Sequence, residues 1–322
     1  MRPLPAVDPY RLGVFTSAEA LASGWTPKAL HHAAATGRVV RLRPGVYVAD
    51  RPVPESPHES ARDSMRISAI AAVLANPTSM ASHTAAAVLH ELPVWFLPER
   101  PCVTVPPGYV GDVEGAHLHR ARMPATHQTL RGASVSSIER TVVDVGREHG
   151  VLSALVVADA ALHRSLTSVD ALRAGVRACR GWPGVRSARE AVDLADGRAE
   201  SPLETASRYK LRGQVPPPEL QPLIFDAAGL FLGRCDFLWE DLGVVGEADG
   251  MDKYDGTKPL SLREEKIRQE DLENCGLVVV RWGPADLNPI EGLVARLEAG
   301  YARAQRRREP RRWTASLMRR AS

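Results

Sequence analysis

A chain of 322 residues exceeds what one ordinary hydrophobic core fills and implies two or three domains. Its 44% hydrophobic and 25% charged residues suit a globular protein, while 5% aromatics disfavour a stacking platform for single-stranded nucleic acid. A formal charge of only +3 excludes a uniformly basic coat, so nucleic-acid contacts must come from local patches.

Cys102, Cys179, Cys235 and Cys275 stand at least 40 positions apart, with no CxxC pair, which argues against a zinc finger or ribbon. No stretch reaches the ~18 consecutive apolar residues of a membrane span, and the start MRPLPAVDPYRLG lacks an apolar signal core. The expectation is a cytoplasmic protein with reduced thiols and no membrane partner.

In chain order, residues 1–50 read as a compact unit and RPVPESPHES (51–60) as a linker. Thr16 followed by Glu19 predicts a capping box, and a short helix ends at Gly24. Thr26-Pro27 starts a second helix that stops at Gly37, giving a helix-turn-helix pattern. The run RVVRLRPGVYV then predicts a hairpin turning at Pro44-Gly45. Thr26, Lys28, His31 and His32 on the second helix, with Arg38, Arg41 and Arg43 on the wing, form a candidate surface for phosphates and base edges of double-stranded DNA.

Residues 61–195 alternate Ala-rich helical patterns with short strands, including a helix at Ser64–Leu74 and a strand at Cys102–Val105. The pairs His83/His90 and His117/His119 read as ordinary packing or surface histidines, since neither has a third ligand nearby in sequence. RGWPGVRSARE marks a break and a fresh helix start. The region reads as architectural.

From Ala199 to Arg303 the pattern is α-β-β-β-α-β. Ser201-Pro202-Leu203-Glu204 opens a helix, and strand-like runs come next at Gln221–Phe225, Phe231–Trp239 and Val244–Asp249. If the loop after Trp239 is a regular hairpin, Trp239 pairs with Val244 and Asp236 stands opposite Glu247. Asp249 falls on the same face as Glu247 by alternation. Those acids, with Glu204 arriving from the helix, make an oxygen-rich candidate site for Mg²⁺ or Mn²⁺. Ser261 starts a further helix to about Cys275, and LVVVRW (277–282) reads as a buried strand parallel to its neighbour. The tail, 304–322, belongs to a segment holding eight arginines between Arg303 and Arg320, either solvated or gripping phosphates.

The run FTSAEALASG–TPKAL–GRVVRLRPGVYV resembles the winged-helix amino domain of the AbiEi family of type IV antitoxins, a resemblance that implies promoter-DNA binding. The segments ASHTAAAVLHELPV and SSIERTVVDVGREHG resemble the region often linked behind such domains. The residues SPLE, RCDFLW, GVVGEADGMDKY and RQEDLENCGLVVVRW resemble the restriction-endonuclease-like PD-(D/E)xK superfamily, nearest its DUF559 and very-short-patch-repair-like group. That resemblance implies Glu204, Asp236 and Glu247 as metal-binding acids, with Glu200 a rival to Glu204. The family's lysine is replaced by Asp249, leaving Lys253 as the substitute and Lys266 as second choice.

The expected fold is therefore an α/β multidomain chain: winged helix-turn-helix at 1–50, mixed α/β at 61–195 and a nuclease-like αβββαβ core at 199–303. The resemblances imply two functions, a Mg²⁺-dependent DNA endonuclease and an AbiEi-like repressor whose nuclease-like part is inactive. A homodimer, and under the second reading a cognate toxin, are the protein partners they allow.

Overall fold

The computed structural model describes residues 11–123, 127–250, 262–306 and 311–317. It is mixed α/β, with ten α-helices and four sheets among those residues, and divides into two compact units at Ala195/Asp196. No described helix is long and apolar enough to cross a membrane.

In the first unit, β1 (Val14–Thr16), β2 (Val39–Arg43) and β3 (Val46–Ala49) form a sheet of order β1-β3-β2, beside α1 (Ser17–Ala22) and α2 (Pro27–Ala35). Local chemistry sets this motif. Thr16 Oγ1 accepts from Glu19 N at 3.1 Å while Glu19 accepts from Thr16 N at 2.8 Å, the reciprocal cap read from the sequence. Thr26 Oγ1 accepts from Ala29 N at 3.2 Å, and Pro27 takes the first helical position. Gly24 (φ 80°) and Gly37 (φ 73°) come after the two helices in left-handed backbone. Phe15, Trp25, Leu30, Ala33 and Val39 fill the space between helices and hairpin.

Helix α3 (Pro57–Ala75) begins inside the stretch read as a linker, because Ser56 caps it by accepting from Glu59 N and Pro57 suits its first position. Short strands β4 (Met80–Ala81), β5 (Cys102–Val105), β6 (His117–Arg120), β7 (Gln128–Leu130) and β8 (Ala133–Val135) form a sheet of order β6-β5-β4-β8-β7. Helix α4 (His83–Leu89) is wholly buried, and the long α5 (Ile138–His163) is interrupted at Gly150. Val14, Val46 and Val48 share one core cluster with α3, α4 and this sheet, so the winged motif has no separate interior on that side. Helices α6 (Val169–Ala178) and α7 (Val185–Leu194) pack on α5, and Gly184 (φ 77°) provides the break before α7.

The second unit opens with α8 (Pro202–Leu211), capped by Ser201. Two sheets make up its centre. One holds β9 (Glu219–Leu220), β12 (Phe237–Trp239), β13 (Val244–Ala248) and β14 (Val278–Trp282) in order β14-β13-β12-β9. The other holds β10 (Pro222–Asp226), β11 (Phe231–Arg234) and β15 (Trp313–Leu317) in order β11-β10-β15. The run read as one strand, Phe231–Trp239, breaks at Cys235–Asp236 and serves both sheets. Strands β13 and β14 pair in parallel, as the sequence suggested, and the helix between them is α9 (Leu262–Asn274).

Val245 packs with Leu272 of α9, whereas its neighbour Val244 faces Gly300 of α10 (Glu291–Arg306). Strand alternation thus presents the sheet to a helix on each side, which explains why β13 is buried at every position. Gly300 has no side chain to hold α10 away, and an added Cβ there would lie 3.2 Å from Val280. The arginine-rich tail is not solvated throughout. Arg311 stacks 3.7 Å from the Trp313 ring and donates to Glu240 Oε1 at 2.6 Å, and Trp313 is buried in the core.

Candidate nucleic-acid interface and carboxylate cluster

The exposed side of α2 carries Thr26, Lys28, His31 and His32, while Leu30 and Ala33 turn inward. The wing is the β2–β3 hairpin, whose turn at Gly45 (φ 73°) is tied to α1 by Ser17 N donating to Gly45 O at 2.7 Å. Arg41 is exposed on that hairpin, and Arg38 is half-buried with its guanidinium 5.5 Å from the Trp25 ring. Arg43 is a correction. A register shift between Arg41 and Arg43 turns its side chain inward, where it is 8% exposed and donates to Gly115 O at 3.3 Å. A guanidinium committed to an internal carbonyl is not on the surface that the alternating arginines suggested. Lys28, His31, His32 and Arg41 remain as exposed basic or ring-nitrogen groups on one helix and its wing.

In the second unit the hairpin register matches the sequence reading: Trp239 faces Val244, Leu238 faces Val245 and Phe237 faces Gly246. Asp236, one step further, stands just before β12, where its Oδ2 accepts from Ala248 N at 2.8 Å. Glu204, from the first turn of α8, is 7% exposed. Gln221 Nε2 bridges the two acids, donating to Glu204 Oε2 at 2.9 Å and to Asp236 Oδ1 at 3.3 Å. Burial, reinforced by the Asp236 charge, pushes the Glu204 carboxyl up to about 7.

The other two acids are matched to arginines. Glu247, 3% exposed, lies 3.3 Å from Arg268 of α9. Asp249 receives a bidentate fork from Arg281, at 2.7 and 3.0 Å. Glu200 pairs with Arg234 at 2.6 Å and donates its backbone N–H to Glu204 Oε2 at 2.9 Å, so it supports Glu204 without replacing it. The structure therefore brings Glu204 and Asp236 together and sets Glu247 and Asp249 each on a guanidinium. Among the described residues, no three of these acids bring their oxygens within 4.8 Å of one another. As arranged they do not form a single cage for a divalent ion such as Mg²⁺. Lys253 lies outside the described residues, and Lys266 is exposed, 3.9 Å from Glu270.

Sequence reasoning did not find Gln221, Arg268 or Arg281 as partners of these acids. Nothing local links Gln221 to Glu204 across 17 positions.

Residues 10–49 match a family model described as transcriptional regulator, AbiEi antitoxin. Two uncharacterized Mycobacterium tuberculosis proteins, Rv2248 of strain H37Rv and MT2308 of strain CDC 1551, are each 30% identical over 190 residues, covering 59% of this chain and 68% of the relative. Among solved structures, the RV2827C protein of Mycobacterium tuberculosis aligns over 60% of this chain and 74% of its own, at 15% identity and a TM-score of 0.36. The chain belongs to the family of the Mycobacterium tuberculosis proteins Rv2248 and MT2308, and its amino end is an AbiEi-type domain.

Proposed function

We propose that this protein is a DNA-binding transcriptional regulator of the AbiEi antitoxin kind. The observation that carries the reading is the capped α1–α2 pair with a hairpin wing, presenting Lys28, His31 and Arg41 outward within the segment that matches the AbiEi model. In such a motif α2 enters the major groove and the wing lies along the phosphates. Arg38, placed against Trp25 at the start of the wing, adds charge close to that surface. A toxin encoded beside it is the partner this reading implies.

The test is fluorescence anisotropy on the DNA upstream of the protein's own coding sequence, against random duplex, across a salt series. The expected result is preference for the upstream DNA, with Lys28→Ala and Arg41→Ala each lowering the salt slope by about one. Equal, salt-independent signals from both duplexes would defeat the proposal.

A metal-dependent nuclease is the second reading. It is favoured by the Glu204–Asp236 pair, two neighbouring carboxylates of which one is buried and shifted up to about 7. Against it stand Arg268 and Arg281, which occupy the acids a metal would need. Supercoiled plasmid incubated with Mg²⁺ or Mn²⁺ decides. Nicking that disappears in both Asp236→Ala and Glu247→Ala supports an enzyme, and intact plasmid with bound protein leaves the regulator alone.

A further inference from the structure

The sequence offered His83/His90 and His117/His119 as pairs without a third ligand. The fold regroups them. His90 turns away, its Nε2 2.7 Å from Ser136 O. His83, at the start of α4, instead stacks on His119 of β6 with ring centroids 3.8 Å apart and 20° between planes. Strand β6 runs parallel to β5, with Cys102 opposite His117 and Thr104 opposite His119, so all four side chains share one face of the sheet. Donor atoms of His83, Cys102 and His119 all lie within 4.8 Å of one another, and those of His117, His119 and Glu148 do the same.

We propose that His83, Cys102 and His119 bind one zinc-class divalent cation, leaving its fourth position open on the exposed side, towards His117 and Glu148. Two imidazole nitrogens and one thiolate are the donor types such an ion selects over magnesium or calcium. Bonds of about 2.0–2.3 Å to a tetrahedral ion bring ligand atoms within ~4 Å of each other, so these donors need to close by about an ångström at most. His83 is already oriented. Its Nδ1 lies 2.9 Å from Ser82 Oγ, which also accepts from Thr104 Oγ1 at 2.8 Å. With Nδ1–H donating to that hydroxyl, Nε2 keeps its lone pair for a ligand, the usual second support of a metal-bound histidine.

A packed pair of core histidines is the competing account, and one atom argues against it. His119 Nε2 is buried with no hydrogen-bond partner, as is Nε2 of His149, the residue after Glu148. Buried polar atoms left without partners are rare, and an ion at this site would engage the first of them. His83 also holds a left-handed backbone at φ 54°, a conformation that costs a non-glycine residue.

Two guanidiniums near the site share one carboxylate. Arg140 and Arg147 both pair with Asp144, at 2.7 and 3.2 Å, and both stack on Trp182. Burial pushes the Cys102 thiol up to about 12, so the ion displaces its proton on binding, and the thiolate so formed, with the Glu148 carboxylate nearby, offsets the ion's charge.

The full chain, stripped with a chelator and dialysed, is titrated with Co²⁺ and read by absorbance. The expected result is one Co²⁺ per chain, with intense visible bands of tetrahedral coordination and a thiolate-to-cobalt charge-transfer band in the near ultraviolet, all erased by Zn²⁺. Cys102→Ser removes the charge-transfer band, His119→Gln abolishes stoichiometric uptake, and Glu204→Gln changes neither. The wild-type protein alone can overturn the proposal, by taking up no cobalt or by binding it without a thiolate band. A charge-transfer band that persists in Cys102→Ser overturns it equally.

Discussion

Glu204 is the residue whose surroundings make the sharpest prediction. An ordinary glutamate titrates near 4.5, whereas burial beside Asp236 raises Glu204 to about 7 in the folded protein. Between those values the folded state holds a proton that the unfolded chain has released. Stability therefore falls as pH rises from about 4.5 to about 7 and is level above, a loss on the order of 3 kcal/mol at most. Urea melts across that window are expected to show this fall in the wild type and its absence in Glu204→Gln. An unchanged slope in the variant would place the titration elsewhere. Gly246 is a residue of the opposite kind, chosen for the side chain it lacks. A Cβ there would stand 2.5 Å from the Trp282 ring and 3.0 Å from Trp239. Gly246→Ala is thus expected to cost about 1–3 kcal/mol through overpacking, measured by denaturant midpoint. The capping residues Thr16, Glu19, Thr26 and Ser201 were legible in the sequence because each acts on an amide three positions away. The partners Gln221, Arg268 and Arg281 were not, since they reach Glu204, Glu247 and Asp249 across 17 to 32 positions.

At the scale of elements, the β2–β3 hairpin separates arginines that look equivalent in RVVRLRPG. Arg41 is exposed and Arg43 is buried against Gly115 O. Arg41→Ala is expected to weaken DNA binding with little change in melting temperature. Arg43→Ala is expected to destabilise the first unit by about 1–3 kcal/mol, because Gly115 O loses its charged donor and the buried stem leaves a gap. Anisotropy and thermal melts on the same two variants distinguish these roles, and a reversed pattern would mean that the hairpin register is different. The hairpin β12–β13 was legible from its loop length, since Glu240–Gly243 fixes which residues face each other. The break at Cys235–Asp236 was not, because it arises from two sheets sharing one run of chain. Cys235 N donates to Pro222 O in one sheet, while Phe237 already pairs with Gly246 in the other. The tail misled for a related reason. Its arginines read as either solvated or gripping phosphates, yet Trp313 buries in a core and β15 pairs along all of β10.

At the scale of the whole molecule, each of the two units has its own core. The first is built on alanines and valines around α3 and α4, and the second on Leu238, Val245, Leu272 and their neighbours. Calorimetry is expected to resolve two unfolding transitions, of which Gly246→Ala lowers one alone. A single transition lowered as a whole would mean that the units unfold together.

The features that the sequence determined by itself were local: the starts of α1, α2 and α8, turn glycines and hairpin register, each written within a few residues by hydrogen bonds and loop length. It also carried the AbiEi-type motif, because that motif is one contiguous window. Tertiary structure alone decided which charges meet. It paired Glu247 and Asp249 with arginines, turned Arg43 inward, and gathered His83, Cys102 and His119 from three elements. The physical reason is that electrostatic and ligand chemistry depend on distances of a few ångströms, and packing brings such distances about between residues the chain keeps far apart.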